Sequence, residues 1–191
     1  MTTKKQRIFA EAAQLFREKG YSAASMRDLA ERVGLKPSSF YSHIKSKEEI
    51  LQKICFDSAQ KFTEGMERVE QSGGTSRQRV RALLGLHLRV ALEDPTSVTV
   101  FNDEWRHLSE PALSRFVSLR KDYEHRFLRI IESGIEAGEF RAVHPQLALY
   151  TLLNALRWLH FDGKLSKQFS AESLREELEK ILLHGLIVEK K

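Results

Sequence analysis

The sequence predicts an all-α protein of about nine helices, and three observations support this prediction. Apolar residues recur at intervals of three and four in most segments, as they do on the buried face of an amphipathic helix. Four prolines and ten glycines among 191 residues leave room for long uninterrupted helices. No segment alternates apolar and polar residues over a length that would favour a β-strand.

The first three helices are short and have clear boundaries. The apolar spacing predicts a helix over residues 4–19 that ends at Gly20. A second helix begins at the capping box Ser25-Met26-Arg27-Asp28 and ends at Gly34. A third helix begins at Pro37, because proline suits a first helical position. These signals predict a three-helix module over residues 1–47.

Six longer helices are predicted after this module. A second capping box, Ser46-Lys47-Glu48-Glu49, opens the fourth, which serves as a connector over residues 48–70. The linker Gly73-Gly74-Thr75 follows it. Further helices are predicted at about 76–93, 98–108 and 111–137. The eighth opens at His144-Pro145, is densely apolar from Leu147 to Phe161 and ends at Asp162-Gly163, and a last helix begins at Ser170. We therefore expect a second domain over residues 48–191.

Composition and charge restrict the class of protein. Hydrophobic residues make up 41% and charged residues 30%, which is typical of a folded globular chain. The single cysteine, Cys55, excludes an intrachain disulfide and favours a reducing compartment, so we expect a cytoplasmic protein. No apolar run is long enough to span a membrane, and the first residues do not resemble a secretory signal, so we expect no membrane partner.

The net charge of +5 is concentrated at the front of the chain. Residues 1–47 carry ten basic and four acidic side chains, whereas the remainder carries 21 basic and 22 acidic ones. A basic module before a near-neutral body suggests a polyanionic partner, either nucleic acid or an anionic membrane. An uneven surface charge without a partner is the alternative.

Two short helices joined by a tight turn within this basic module predict a helix-turn-helix. The second of them is too short and too polar to be a core element. It carries the small hydroxyl side chains of Ser38, Ser39 and Ser42 beside Tyr41 and His43, and such groups can approach bases and phosphates closely. A helical hairpin with a polar outer face is the alternative that spacing alone leaves open.

The segment VGLKPSSFYSHIKSKEEIL resembles the recognition-helix signature of the TetR family of transcriptional regulators, and FAEAAQLFREKGYSAASMRDLAERVG resembles the first two helices of that family. The resemblance implies a homodimer that binds a palindromic double-stranded DNA operator, with Phe40 and Ile44 packed inward. Lys36, Pro37 and Ser38 depart from the usual family pattern, so the operator sequence does not transfer. The residues it implies for DNA binding are Ser25, Arg27, Lys36, Ser38, Ser39, Tyr41, Ser42, His43 and Lys47.

The resemblance also implies a small-molecule effector and a dimer seam built by the last two long helices. Residues 102–108, with the run through Tyr123, look like members that control fatty-acid, aromatic-acid or steroid catabolism and sense acyl-CoA thioesters. We therefore expect a repressor that is released from DNA by a small acidic or acyl-CoA effector. The candidate effector-binding residues are Trp105, Arg106, Arg120, Tyr123, Arg157 and Trp158.

Arg120 and Arg157 lie within apolar stripes, so each is expected to face inward and to need an anion. A buried ion pair with Glu104, Asp122 or Glu124 is the alternative to an acidic ligand.

Other function classes are less well supported by the residues. The sequence assembles no nucleophile, acid–base pair or metal set, so we expect neither an enzyme nor a resident cofactor. The seven histidines are scattered, and Cys55 is expected to be buried by packing. A small enzyme that acts in the helical pocket, and a helical adaptor that binds protein or membrane through its basic front, remain the alternatives.

Overall fold

The computed structural model describes residues 4–160 and 168–184, and in these ranges the chain contains nine α-helices and no strand, which confirms the all-α prediction. Single turns of 3₁₀ helix occur at Trp105–His107 and Arg157–His160, and a π-helical turn lies at Lys180–His184. The α-helices are α1 (Lys4–Lys19), α2 (Met26–Arg32), α3 (Pro37–Tyr41), α4 (Lys47–Gln71), α5 (Ser76–Glu93), α6 (Pro95–Asp103), α7 (Ala112–Glu136), α8 (Pro145–Ala155) and α9 (Ala171–Glu179).

The eighth helix differs from its prediction. It ends at Ala155 instead of running toward residue 161, and the next residues form the 3₁₀ turn. The side-chain amide of Asn154 donates to the carbonyl of Tyr150 at 2.8 Å, and such local bonds compete with the helical pattern. As a result the Arg157 side chain is exposed, and the expectation that it faces inward is wrong. The predicted stop at residues 162–163 lies outside the described residues.

The chain divides into two compact units. The first unit consists of the chain up to Lys61 together with Thr96–Arg120, and the second consists of Phe62–Pro95 and the chain from Lys121 onward. This structural division does not follow the boundary predicted at residue 47. The predicted boundary separates a DNA-binding part from an effector-binding part, and it stays a prediction. Both α4 and α7 contribute residues to each unit.

One hydrophobic core holds the first unit together. Phe16 of α1, Leu29 of α2 and Phe40 of α3 are almost completely buried, and they belong to the same cluster as Leu51 of α4 and Phe116 of α7. Burying side chains of this size contributes roughly 1.5–3 kcal/mol each. The segment Thr96–Arg120 therefore supports the three N-terminal helices by direct packing.

The second unit has its own core around α5. Leu83 and Leu84 of α5, Phe127 of α7 and Leu149 of α8 are buried there. Helices pack very closely at Gly65 of α4, because a Cβ atom at that position would lie 2.3 Å from the Leu86 side chain. None of the described helices is long and apolar enough to cross a bilayer.

Candidate DNA-binding surface and effector site

Hydrogen bonds fix both ends of α2, and those at its C-terminal end shape the turn into α3. Ser25 and Asp28 form the predicted capping box, with the Ser25 amide donating to the Asp28 carboxylate at 2.8 Å. At the other end, Gly34 has φ 68°, and the amides of Gly34 and Leu35 donate to the carbonyls of Glu31 and Ala30. Because this left-handed position favours glycine, the sequence sets the direction in which α3 leaves the turn.

The recognition helix α3 has one buried and one exposed side. Phe40 and, just beyond the helix, Ile44 have no exposed surface, as the sequence predicts. Ser38, Ser39 and Ser42 are exposed, and Tyr41 is 53% exposed, although its ring meets that of Phe40 edge-to-face. The outer side of α3 thus presents hydroxyl groups and one aromatic ring to solvent.

Local bonds limit what some of these hydroxyls can do. The Ser42 hydroxyl donates to the carbonyl of Ser39 at 2.7 Å, so it has only acceptor lone pairs left for a partner. The Ser25 hydroxyl lies 2.6 Å from the Asp28 carboxylate and accepts the Asp28 amide. The bonds that Ser25 donates lower the pKa of the Asp28 carboxyl group, which stays ionised and holds the start of α2.

The basic side chains around the turn fall into two groups. Arg27 and Lys36 are exposed, although Arg27 also pairs with Glu31 one turn further along α2 at 3.0 Å. Lys47, in contrast, is half-buried, and its ammonium group donates to the carbonyls of Tyr21 and Ala24 at 2.7 Å each. It also lies 4.3 Å from the Tyr21 ring centroid. His43 is half-buried.

Arg32 ties α2 to α1. Its guanidinium group forms two bonds to the Glu18 carboxylate, at 2.6 and 2.9 Å, and a third to Glu11 at 3.0 Å. The Arg32 guanidinium lowers the pKa of the Glu18 carboxyl group. A bidentate pair of this kind fixes geometry as well as adding energy, so α1 and α2 form a rigid support for α3.

Three of the six candidate effector residues lie in the first unit. The Trp105 indole has the guanidinium of Arg106 at 4.7 Å and that of Arg120 at 5.0 Å from its ring centroid. The indole N–H is buried without a hydrogen-bond partner among the described residues. Burial also raises the pKa of the Cys55 thiol in the same unit to about 12, so this cysteine is a packed thiol at neutral pH.

The other three candidates lie in the second unit. Arg157 is exposed and Trp158 is half-buried. The Tyr123 hydroxyl lies 2.7 Å from Nε2 of His87, within a cluster that includes the rings of Phe62 and Phe127. Sequence reasoning missed His87, because nothing in the local pattern indicates that a residue 36 positions away bonds to it.

A cavity of about 790 Å³ lies in the second unit beside α8. Its walls include Val80 of α5, Ile131 of α7, and Leu147 and Leu152 of α8. None of the six candidate effector residues lines this cavity. Its apolar wall continues onto an exposed side of α8, where Leu147 is 67% exposed.

A second concave surface of about 750 Å³ is formed by α4, α5 and α9, and it is rich in arginine. Part of that charge is neutralised, because buried Glu179 pairs with two of the arginines at 2.6 and 3.6 Å and Glu64 pairs with a third at 3.8 Å. The groove and His87 lie on opposite sides of α5. The groove residue Arg89 follows His87 by two positions, and a two-residue step turns about 200° around a helix. The arginines are Arg68, Arg81, Arg89 and Arg175.

In the described ranges, no three His, Cys, Asp or Glu side chains lie close enough together to hold a metal ion.

The first unit contains a short polar helix, α3, which two other helices support and which is exposed on one side. This arrangement defines a helix-turn-helix DNA-binding protein.

Comparison with known proteins identifies the family. The model described as bacterial regulatory proteins, tetR family, matches residues 8–54, and the one described as tetracyclin repressor-like, C-terminal domain, matches residues 73–186. The chain belongs to the TetR family. It is a DNA-binding transcriptional regulator.

Individual relatives agree with this assignment. The chain is 28% identical to the HTH-type transcriptional repressor KstR2 of Rhodococcus jostii, over 92% of this chain and 87% of that protein. It is 30% identical to the TetR family transcriptional regulator PfmR of Thermus thermophilus, with a TM-score of 0.81 over 95% of this chain and all of that one. AibR, solved with isovaleryl coenzyme A and operator DNA, shares the fold at 21% identity, a TM-score of 0.81 and coverage of 95% and 98%.

Proposed function

We propose that this protein is a homodimeric repressor that binds a palindromic operator through α3 and leaves it when an acyl-CoA effector binds the second unit. The single observation that carries the DNA part is the exposed side of α3, which ends with Tyr41, while Phe40 anchors the helix from the buried side. Tyr41 and the serines meet base edges and phosphates, while the exposed Arg27 and Lys36 add contacts to the DNA backbone. A DNA target is consistent with the expected cytoplasmic localisation.

Lys47 acts differently from the phosphate contact that the family resemblance implies. Its three N–H donors point to carbonyls of the segment between α1 and α2, at 2.7 Å for Tyr21 and Ala24 and 3.4 Å for Ser22. An ammonium group has three donors, so these bonds use all of them. We assign Lys47 to positioning the start of α2, and Ser25, through its capping box, to the same task.

The homodimer rests on the exposed side of α8. Leu147 and Tyr150 are 67% and 49% exposed, and Thr151 and Asn154 continue the same side at helical spacing. The neighbouring Val143 is also exposed, as is a residue of the π-helical turn after α9. Large apolar side chains on one side of a helix favour a protein partner, and a second copy would bury the same surface on both chains.

The effector class rests on relatives and on chemistry. KstR2 is a repressor, and AibR binds isovaleryl coenzyme A together with operator DNA. The second unit of this chain holds a cluster of Phe62, His87, Tyr123 and Phe127, in which one hydrogen-bonded polar pair lies among apolar rings. An acyl chain with a carbonyl group requires apolar surroundings with a few polar groups, so we place the effector beside this cluster. Binding there shifts the population toward a form with low DNA affinity.

DNA binding can be tested with a labelled duplex taken from the DNA upstream of the coding region. We expect fluorescence anisotropy to show two chains per duplex, a steep decrease of affinity with salt, and weak binding to a scrambled duplex of the same composition. Equal affinity for both duplexes would contradict the proposed function and favour a nonspecific basic surface.

A further inference from the structure

His87 and Tyr123 form a polar pair inside an aromatic cluster of the second unit. The Tyr123 hydroxyl oxygen and His87 Nε2 are 2.7 Å apart. The Phe62 ring centroid lies 4.8 Å from the imidazole and 6.0 Å from the phenol, and the Phe127 ring packs against the phenol edge-to-face. Two hydrogen-bonding side chains are thus held together where their other ring neighbours are apolar.

The pair has one hydrogen-bond donor left for a third group. Desolvation lowers the pKa of His87 to about 4, so the imidazole is neutral and carries one proton at physiological pH. Burial raises the pKa of Tyr123, so the phenol keeps its proton as well. One of these two protons lies between Nε2 and the hydroxyl oxygen. The other is offered outward, either by Nδ1 of His87 or by the Tyr123 hydroxyl.

The pair keeps surface that a third group can contact. Both side chains are half-buried, so they retain accessible surface beside the aromatic rings that pack against them. A ligand can therefore contact the pair at this surface.

The charge of the surroundings decides which ligand group fits. A carboxylate in an apolar pocket requires a cation, whereas this pair is neutral. Arg126 acts electrostatically on Tyr123, but its guanidinium group is already hydrogen-bonded to Glu70 and lies 3.5 Å from the Asp122 carboxylate. Its charge is therefore balanced by these two carboxylates. An uncharged acceptor such as a carbonyl oxygen needs only one donor.

We infer that His87 and Tyr123 bind the uncharged carbonyl oxygen of the effector, and that this pair selects a thioester or another carbonyl compound over a free carboxylate. This inference rests on the proposed function, because it names the part of the effector that the second unit reads. Neither residue takes part in DNA binding, so the effect is confined to the response of the DNA complex to the ligand.

Two compounds that differ only in the carbonyl group test the inference. An acyl-CoA thioester and the matching S-alkyl-CoA thioether share the nucleotide and the chain, and pairs with a short, a medium and a long chain cover the unknown length. The concentration of each that releases half of the labelled operator is measured by anisotropy. We expect the best thioester to act at a concentration about tenfold or more below that of its thioether, and the free acid to be weaker than the thioester.

The double variant His87→Phe, Tyr123→Phe removes the donor while keeping the aromatic cluster apolar and filled, and we expect it to respond equally to thioester and thioether. Tyr150→Phe, which removes an exposed hydroxyl on α8, is the matched control and keeps the preference. If the double variant does not fold, the single Tyr123→Phe variant replaces it, and its preference should decrease.

Two results would overturn the inference alone: a wild-type protein that responds equally to both compounds, or a variant that keeps the full preference. If no CoA compound releases the operator from the wild-type protein, the proposed effector class itself is wrong, and the assignment of the pair falls with it.

Discussion

Tyr41 is the side chain on which the proposed DNA contact depends most. It is 53% exposed at the end of α3, and its neighbour Phe40 fixes the helix from the buried side. An exposed aromatic side chain contributes little to the stability of the folded chain, so its removal should affect binding and not folding.

The Tyr41→Ala variant should therefore bind the specific duplex about tenfold or more weakly, which corresponds to roughly 1–3 kcal/mol. Circular dichroism should show that its helical content is unchanged, and sedimentation should show that it is still a dimer. Lys53→Ala, which changes an exposed residue of α4, is the control. A dimer that dissociates in Tyr41→Ala would contradict the division of functions between the two parts of the chain.

Lys47 and Lys45 make a matched pair, because one lysine is bonded to backbone carbonyls and the other is exposed. Lys47→Met should lower the free energy of unfolding by roughly 1–3 kcal/mol, since three carbonyls lose a charged donor. Lys45→Met should change it by less than about 0.5 kcal/mol. Urea unfolding of both variants measures the difference, and equal stability would show that Lys47 does not hold the segment before α2.

His87 gives the second unit a dependence on pH. Its pKa is lowered to about 4 in the folded chain, against about 6.5 when unfolded, so protonation favours the unfolded state. The stability that the neutral imidazole contributes is therefore complete above pH 6.5 and is lost as the pH falls toward 4.

Between about pH 7 and about pH 4.5 this group should account for about 2 kcal/mol of lost stability. The loss should be absent in His87→Gln, which cannot titrate, while the carboxylates contribute equally to both proteins. Unfolding in urea at the two pH values provides the measurement. A wild-type protein that loses no more stability than the variant would show that His87 is solvated.

At the scale of elements, short-range signals explain why the N-terminal helices were predictable. The Ser25–Asp28 capping box, Gly34 and Pro37 act within a few residues of themselves, and each occupies its expected place. The end of α8 was not predictable in the same way, because apolar residues continue past Ala155 while the backbone turns. Lys47 and His87 find their partners 23 to 36 residues away, so only the folded chain reveals their roles.

The exposed side of α8 carries the proposed dimer contact. Leu147→Glu places a charge on its most exposed leucine and should convert the dimer to a monomer in sedimentation experiments without unfolding it. DNA affinity should fall as well, since two half-sites are no longer bound together. Ala137→Glu, at an exposed position after α7, should stay dimeric. A dimeric Leu147→Glu variant would place the interface elsewhere.

At the scale of the whole molecule, α4 is the element best suited to connect ligand and DNA. It is a single helix of 25 residues, and it contributes Lys47–Lys61 to the first unit and Phe62–Gln71 to the second. We propose that Phe62, which packs against His87, moves with the effector, and that α4 transmits this movement to the helix-turn-helix. A coupling free energy of roughly 1–3 kcal/mol is ordinary for such a switch.

The family and the helix-turn-helix could be inferred from sequence because they depend on local patterns, whereas the effector site could not. The six candidate residues follow from apolar stripes and the family resemblance, and the structure places Trp105, Arg106 and Arg120 in a different unit from Tyr123. Arg120 lies against the Trp105 ring, so a cation in an apolar stripe need not face a ligand.

The most direct test of the account is the release of DNA by an effector. Fluorescence anisotropy of the labelled upstream duplex is measured with the wild-type protein in the presence of a panel of acyl-CoAs and the corresponding free acids. The account predicts tight binding that one class of acyl-CoA weakens by a factor of about 5–150 in affinity. Tight binding that no acyl-CoA changes would contradict the effector assignment, and an absence of sequence-specific binding would contradict the role of α3.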